Sequence, residues 1–416
     1  MRLAVLLAAS IIASGQTGRD PGAVLDASRD RLREAARSLD NYVCIETLDR
    51  SYYQRVETGG AARLEFTDRA RLEVTVSHGR ELHSWPGATR FDARDVDELI
   101  RDGPVSTGAF GAYLAGVFDQ PAVAFQYAGA IPADGRTLFE YRYQAPLAGS
   151  RFLVRVGAGW LPTAYEGQFR IDPESLDLEQ FTIRTSQVPP GAGFLEAGAT
   201  LDYQRVAIGA SQVLLPRHSQ LEIRLEGGRE TRNAVAFSGC REYRAESEIV
   251  FEAPPETENS AAPRAGRGRV ALPIGLPVAL ALEAPIDTAS AAAGDPVAAR
   301  VLKSIRRPGS GEELIPAGAV ARGRIRRVEH HLLPREYFLV AVSFNRVEMQ
   351  GIVSPFVARS APDPELARDL GANLGMQGTG LSFWGVGTFL FRAGRGRTAI
   401  PAGFVSQWFT LAAGGR

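Results

Sequence analysis

Apolar and polar residues alternate with a period of two along most of this chain, and that confines it to antiparallel sheet. Leu72, Val74 and Val76 alternate with Glu73, Thr75 and Ser77. Phe152, Val154 and Val156 repeat the pattern, as do Leu221, Ile223 and Leu225. Strands of this kind bury one face and wet the other. The alternation returns at Val278, Leu280 and Leu282 and at Val297, Ala299 and Val301, and residues 336–349 can form one long strand. A helical bundle is excluded by composition, because 44 Gly and 25 Pro in 416 residues interrupt helices too often. With 45% apolar residues the chain can still build real cores.

Helical spacing occurs in two places. Asp20-Pro21 predicts a helix start, and Leu25, Leu32, Ala36 and Leu39 follow on one face. Further on, Asp92 can cap a short helix carrying Val96, Leu99 and Ile100. Thr107 can cap a second one with Phe110, Tyr113, Leu114, Val117 and Phe118 on a wide apolar stripe. Such an insertion either caps a sheet core or forms a lid over a concave sheet that holds an apolar ligand.

The N-terminus reads as a secretory signal peptide over residues 1–15. Met1-Arg2 precedes an apolar run from Leu3 to Ala13, and Ala13-Ser14-Gly15 offers small residues for cleavage. A buried N-terminal helix is the other reading. No span in the mature chain is long enough to cross a bilayer as a helix, which takes about 20 residues, so the expectation is an exported protein, periplasmic or extracellular. The two cysteines suit that compartment. Cys44 and Cys240 can pair and tie the first strand of the N-terminal half to its last, or stand as two buried thiols. Residues 253–269 hold Pro, Gly and small residues without periodicity and read as a linker between a unit at 20–252 and a second at 270–416. The net charge of zero conceals two poles. Residues 16–253 carry 27 basic and 34 acidic side chains, whereas residues 270–416 carry 16 and 11.

Catalytic signatures are missing. The five histidines, His78, His83, His218, His330 and His331, lack the spacing of a zinc-hydrolase helix. No nucleophile elbow or phosphate loop occurs, and the Gly-rich run at 371–387 reads as a loop. Asp172, Glu174, Asp177 and Glu179 surround Pro173, which suits a turn between strands better than a carboxylate pair for hydrolysis. Arg322, Arg324 and Arg326 share one face if that segment is extended, and Arg392, Arg395 and Arg397 add charge nearby. They form either a patch for a polyanion or a solvated strand face in a chain whose only lysine is Lys303. No metal, cofactor, nucleic acid or catalytic residue is expected.

The layout of residues 20–252 resembles the LolA-like lipoprotein-carrier superfamily, which includes the N-terminal domain of RseB-type sensors. The similarity rests on the order of helix, strands, helical insertion and strands, and on Tyr165 to Glu174 followed by Leu178 to Ile183, which looks like that family's strand–Asp-Pro–strand turn. The resemblance implies a half-open β-barrel with helices over its mouth that binds or senses lipid or lipoprotein acyl chains without catalysis. Residues 270–416 resemble the C-terminal β-barrel of TrbI-type proteins of conjugation and secretion channels. The matching stretches are Leu272-Pro273-Ile274-Gly275, Leu282 to Asp287, Gly294-Asp295-Pro296-Val297, Ile315-Pro316-Ala317-Gly318 and Ile400-Pro401-Ala402-Gly403. TrbI-type proteins carry an inner-membrane helix, whereas this N-terminus reads as cleaved. The pairing of the two modules is similar to exported proteins of acidobacteria. The expected fold is mostly β (α+β): a half-open antiparallel β-barrel with an N-terminal helix and a helical insertion, linked to a second small β-barrel. The expected function is non-catalytic binding of a lipid or lipoprotein acyl chain, which requires a void beneath the lid Phe110, Tyr113, Leu114, Val117 and Phe118. The alternative is an assembly module that meets an envelope protein partner through the second barrel.

Overall fold

The computed structural model describes residues 18–39, 42–55, 60–77, 80–88, 108–148, 150, 152–156, 159–242, 272–333, 336–360, 386–392 and 398–412. The expected signal peptide, the helix from Asp92, Thr107, the linker 253–269, most of the 371–387 run, Arg395 and Arg397 lie outside the described residues.

Helix α1 (Pro21–Ser38) starts where Asp20-Pro21 predicts. The Asp20 carboxylate accepts a hydrogen bond from the Ala23 N–H at 2.8 Å, and Pro21 occupies the first turn, where no N–H is needed. Twelve strands belong to the N-terminal half: β1 (Tyr42–Gln54), β2 (Arg63–Ser77), β3 (Arg80–Ser84), β4 (Ala124–Ala133), β5 (Arg136–Ala145), β6 (Leu153–Val156), β7 (Gly159–Pro162), β8 (Ala164–Ile171), β9 (Leu178–Gln187), β10 (Phe194–Ile208), β11 (Ser211–Leu225) and β12 (Arg229–Glu242). Helix α2 (Ala112–Phe118) lies between β3 and β4. The pairing order is β4–β5–β8–β9–β10–β11–β12–β1–β2–β3, all antiparallel, while β6 and β7 form a separate hairpin. This wide sheet is open, since β3 and β4 do not pair. It bends around α1 and α2, and its inner face carries the apolar members of each alternating strand, such as Tyr141 and Tyr143 on β5 and Phe169 on β8.

The C-terminal strands are β13 (Pro277–Leu282), β14 (Ile286–Asp287), β15 (Pro296–Val301), β16 (Ile305–Arg306), β17 (Glu313–Ile315), β18 (Val320–His331), β19 (Tyr337–Met349), β20 (Ile352–Pro355), β21 (Ala358–Ser360), β22 (Val386–Arg392), β23 (Ala399–Ile400) and β24 (Val405–Thr410). Pairing runs β24–β13–β15–β18–β19–β20. The chain passes from β20 into β21, which pairs back onto β24, so the circuit returns to its start around Trp408, Phe344 and Phe356. This is a small barrel with its own core. Two of the x-Pro-x-Gly stretches make its turns. Ala319 N bonds back to Pro316 O and Phe404 N to Pro401 O, with Gly318 and Gly403 at φ of 85° and 78°, the conformation that a type II turn reserves for glycine.

The two cores meet at a paired seam. Strand β2 gives its edge to β3 over residues 73–77 and to β18 over residues 66–68, where Phe66, Thr67 and Asp68 face His331, His330 and Glu329. Leu332 N bonds to Glu65 O at 2.8 Å, and Arg71 N and Ala293 O bond at 2.7 Å. The sheet therefore continues from one half of the chain into the other.

Candidate functional site

The inner face of the N-terminal sheet, beneath α1 and α2, has two parts. The first is aromatic. The Phe118 ring of α2 lies 5.0 Å from Phe169, 6.0 Å from Phe125 and 6.3 Å from Phe181. Tyr113 meets Phe152 at 5.7 Å, and Phe110 meets Phe237 at the same distance. All five residues of the expected stripe, Phe110, Tyr113, Leu114, Val117 and Phe118, are buried. Among the described residues α2 thus lies in the trough with its apolar side chains turned onto the sheet.

A few polar contacts hold α2 in place. The Glu81 carboxylate on β3 accepts hydrogen bonds from the N–H groups of Gly108 (2.6 Å), Phe110 (2.7 Å) and Gly111 (3.0 Å). Tyr165 donates to Gly116 O at 2.7 Å, and Arg33 of α1 donates to Phe118 O at 3.0 Å. Enclosure of the Glu81 carboxyl in the protein raises its pKa, against the lowering pull of His83 and of these N–H donors. Helix α2 begins at Ala112 rather than after Thr107 and has no side-chain cap of its own. Glu81 instead gathers N–H groups of the segment that leads into the helix. No motif marks Glu81 in the sequence, and its place follows only from the β2–β3 hairpin. Val76 pairs with Glu81 and Val74 with His83, so both polar residues share the inward face of two valines.

The second part of the inner face is polar and lies under β1, β3 and β10 to β12. Glu46 and His83 face each other at 3.2 Å and are both buried. The buried Tyr203, Ser219 and Thr231 hydroxyls have no hydrogen-bond partner among the described residues. Burial pushes the Tyr203 phenol far above its ordinary range, and the Glu81 charge adds to that. Buried hydroxyls in this condition are costly in a fully dry interior.

Two hollows of about 650 and 510 Å³ lie on the opposite, outer face of the sheet and share Thr182 and Arg184 as walls. Several of their charged walls pair with one another, as in Arg184 with Glu166 (2.5 Å) and Arg224 with Glu196.

Cys44 and Cys240 form a disulfide with Cα atoms 4.0 Å apart, joining β1 to β12. Asp172 accepts from the Glu174 and Ser175 N–H groups and from Arg136, so the acidic segment after β8 is a turn. Arg322 bonds to Glu348 at 2.7 Å, Arg324 donates to Gly294 O at 2.8 Å, and Arg326 lies over Trp85 at 5.0 Å. Burial lowers the Arg324 pKa, and the basic residues on β18 thus meet protein groups, two of them at the seam. Among the described residues no group of His, Cys, Asp and Glu is arranged to hold a metal, and no helix is long and apolar enough to cross a membrane.

Fold and site together form one architecture: an open antiparallel sheet whose apolar inner face is covered by α1 and α2, continued into a small barrel. No protein-family model matches the chain, and no curated protein does. Among solved structures, the chain is similar to a domain assigned to outer membrane lipoprotein sorting from Vibrio parahaemolyticus, at 12% identity and TM-score 0.27, over 52% of this chain and 93% of that one. A DUF1329 family protein from Desulfovibrio piger follows at 11% identity and TM-score 0.27, over 55% and 96%. The lipoprotein LppX of Mycobacterium tuberculosis follows at 12% identity and TM-score 0.17, over 53% and 95%.

Proposed function

We propose that this chain is an exported, non-catalytic envelope protein that holds an acyl chain of a lipid or lipoprotein on the inner face beneath α1 and α2. One observation carries the reading. The aromatic trough is covered by an apolar helix of seven residues, AYLAGVF, which has no side-chain cap and is tied down chiefly by Glu81. An acyl chain would take the place of Phe110, Leu114, Val117 and Phe118 as α2 lifts. Each buried methylene contributes about 0.8 kcal/mol, while each large side chain brought out of the core costs about 1.5–3 kcal/mol. The exchange is therefore near balance, which suits a protein that must release its cargo as well as take it up. The buried hydroxyls of Tyr203, Ser219 and Thr231 would lie at the polar end of such a ligand. Within this reading the C-terminal barrel, with its TrbI-like turns, braces the edge of β2.

The test is uptake of a fluorescent fatty acid by the purified chain, together with native mass spectrometry of protein taken from its own envelope. Glu81→Gln keeps the size of the side chain but loses one acceptor oxygen, so α2 lifts more readily. The expected result is at least a several-fold increase in probe affinity. Absence of co-purified lipid, combined with no probe binding by either wild type or variant, would sink the proposal.

A further inference from the structure

We propose that the free edge of β4 is a self-association surface, at which two copies of this chain pair antiparallel about a two-fold axis. Among the described residues β4 pairs with β5 alone, and its other edge meets no strand. At the far end of the same sheet, β18 covers the part of the β2 edge that β3 leaves open. Among the described residues, one edge is thus closed by the C-terminal half and the other is bare.

The composition of β4 indicates what meets it. Its sequence is AFQYAGAIPA, and among the described strands of ten residues or more it alone lacks a charged side chain. Edges that must stay single are ordinarily guarded by charge. In a two-fold antiparallel pair every residue near the axis meets its own counterpart or a close neighbour, so any charge there would face its like. An uncharged edge is self-complementary in this sense, which favours a second copy over a partner of unlike sequence.

The register follows from the irregularities of the strand. A bulge falls between Tyr127 and Gly129, and Pro132 lacks an N–H to donate, so regular pairing is confined to residues 124–127 and their immediate neighbour. Centring the axis on Gln126 sets its amide against the same amide of the second copy and sets Phe125 against Tyr127 of that copy, twice. Tyr127 is suitably placed. It is 38% exposed, and its ring is held by Phe139 at 5.4 Å and Tyr141 at 5.5 Å. Phe125 is steadied by the Arg29 guanidinium 4.8 Å from its ring centre.

Sedimentation velocity of the full chain over a hundredfold range of concentration, reaching about 100 µM, tests this. The wild type is expected to dimerise reversibly. Gln126→Lys sets two ammonium groups against each other and is expected to raise the dissociation constant at least tenfold. Gln126→Thr, uncharged and suited to a strand, should keep the dimer. Equal far-UV circular dichroism of the three proteins separates loss of pairing from loss of folding. Hydrogen exchange should show the amides of 124–128 protected at high concentration and not at low. A wild type that stays monomeric throughout, or a dimer that Gln126→Lys leaves intact, overturns the proposal. So does protection of these amides by an unrelated extended peptide while the chain remains monomeric.

Discussion

Gly167 shows how a single missing Cβ can shape the floor of the sheet. A Cβ there would sit 1.9 Å from the Thr182 carbonyl oxygen and 2.7 Å from the Tyr143 hydroxyl, which itself donates to that carbonyl at 2.6 Å. Gly167→Ala must therefore push β8 away from β9, and a loss of about 2–4 kcal/mol is expected from overpacking against backbone. Gly116 in α2 is the contrast, with nothing within 4 Å of its Cβ position, so Gly116→Ala should be neutral or stabilise by up to about 1 kcal/mol. Denaturant midpoints of the two variants check both signs. Glu329 carries a pH dependence. Burial would raise its pKa, but the His331 hydrogen bond at 2.7 Å and the Arg327 charge outweigh that and hold it below the ordinary glutamate value. A carboxylate with a lowered folded pKa contributes stability that is complete above the unfolded value and is lost as pH falls through the folded one. The wild type should thus lose stability on acidification below the normal glutamate range. Glu329→Gln should lose less over the same span, and urea titrations of both proteins across that range would reveal the difference.

Elements set by local chemistry are readable from the residues, and those set by distant pairing are not. Period-two alternation places β2, β11, β13 and β15, and Asp20-Pro21 places the start of α1. Pro-x-Gly places the turns at Gly318 and Gly403, because only glycine is easy at φ near 80°. His330 and His331, neighbours on β18, bond to different glutamates, Glu336 and Glu329. The start of α2 misleads, because the helix begins at Ala112 and the N–H groups just ahead of it are taken by a glutamate from another strand. The polar half of the inner face is hidden for the same reason, since Glu46, Glu81 and Tyr203 lie on strands that only the completed sheet brings together. The disulfide belongs to this scale. It closes a loop with a sequence separation of 196 between strands that already pair edge to edge. In the chain-entropy model such a loop stabilises by about 5 kcal/mol, and removing a native bridge ordinarily costs about 2–5 kcal/mol. A Cys44→Ala, Cys240→Ala double variant is expected to retain its strand content and to melt well below the wild type. Equal melting temperatures would mean that the β1–β12 ladder alone holds the sheet.

Across the whole molecule, the seam decides whether the two cores behave as one body. Its contacts are backbone pairing of β2 with β18, the stack of Tyr52, Phe66, His331 and Tyr337 at ring spacings of 4.0, 5.0 and 4.5 Å, and the ion pair of Arg71 with Asp295. Asp68 and Glu329 face each other across it, and like charges opposite one another repel. Each therefore has its own arginine: Arg50 bonds to Asp68 at 2.6 and 2.7 Å, and Arg327 lies 2.5 Å from Glu329. Breaking the seam would leave these charges to be hydrated apart, would expose the stacked rings and would open the β2 edge, so the halves should unfold together. Wild type is expected to show one calorimetric transition. The site for separating them is Phe66, whose ring touches both Tyr52 of its own half and His331 of the other. Phe66→Ala removes the shared ring without altering any charge and should cost about 3–5 kcal/mol if the stack is fully packed, less where the ring is half-exposed. If the seam couples the cores, the variant splits the transition in two, with the barrel that contains Trp408 melting on its own and visible in tryptophan fluorescence. Two transitions already present in the wild type would mean that the backbone pairing is too short to join them. A single transition merely shifted to lower temperature would mean that the remaining ladder and ion pairs keep the halves coupled without the ring.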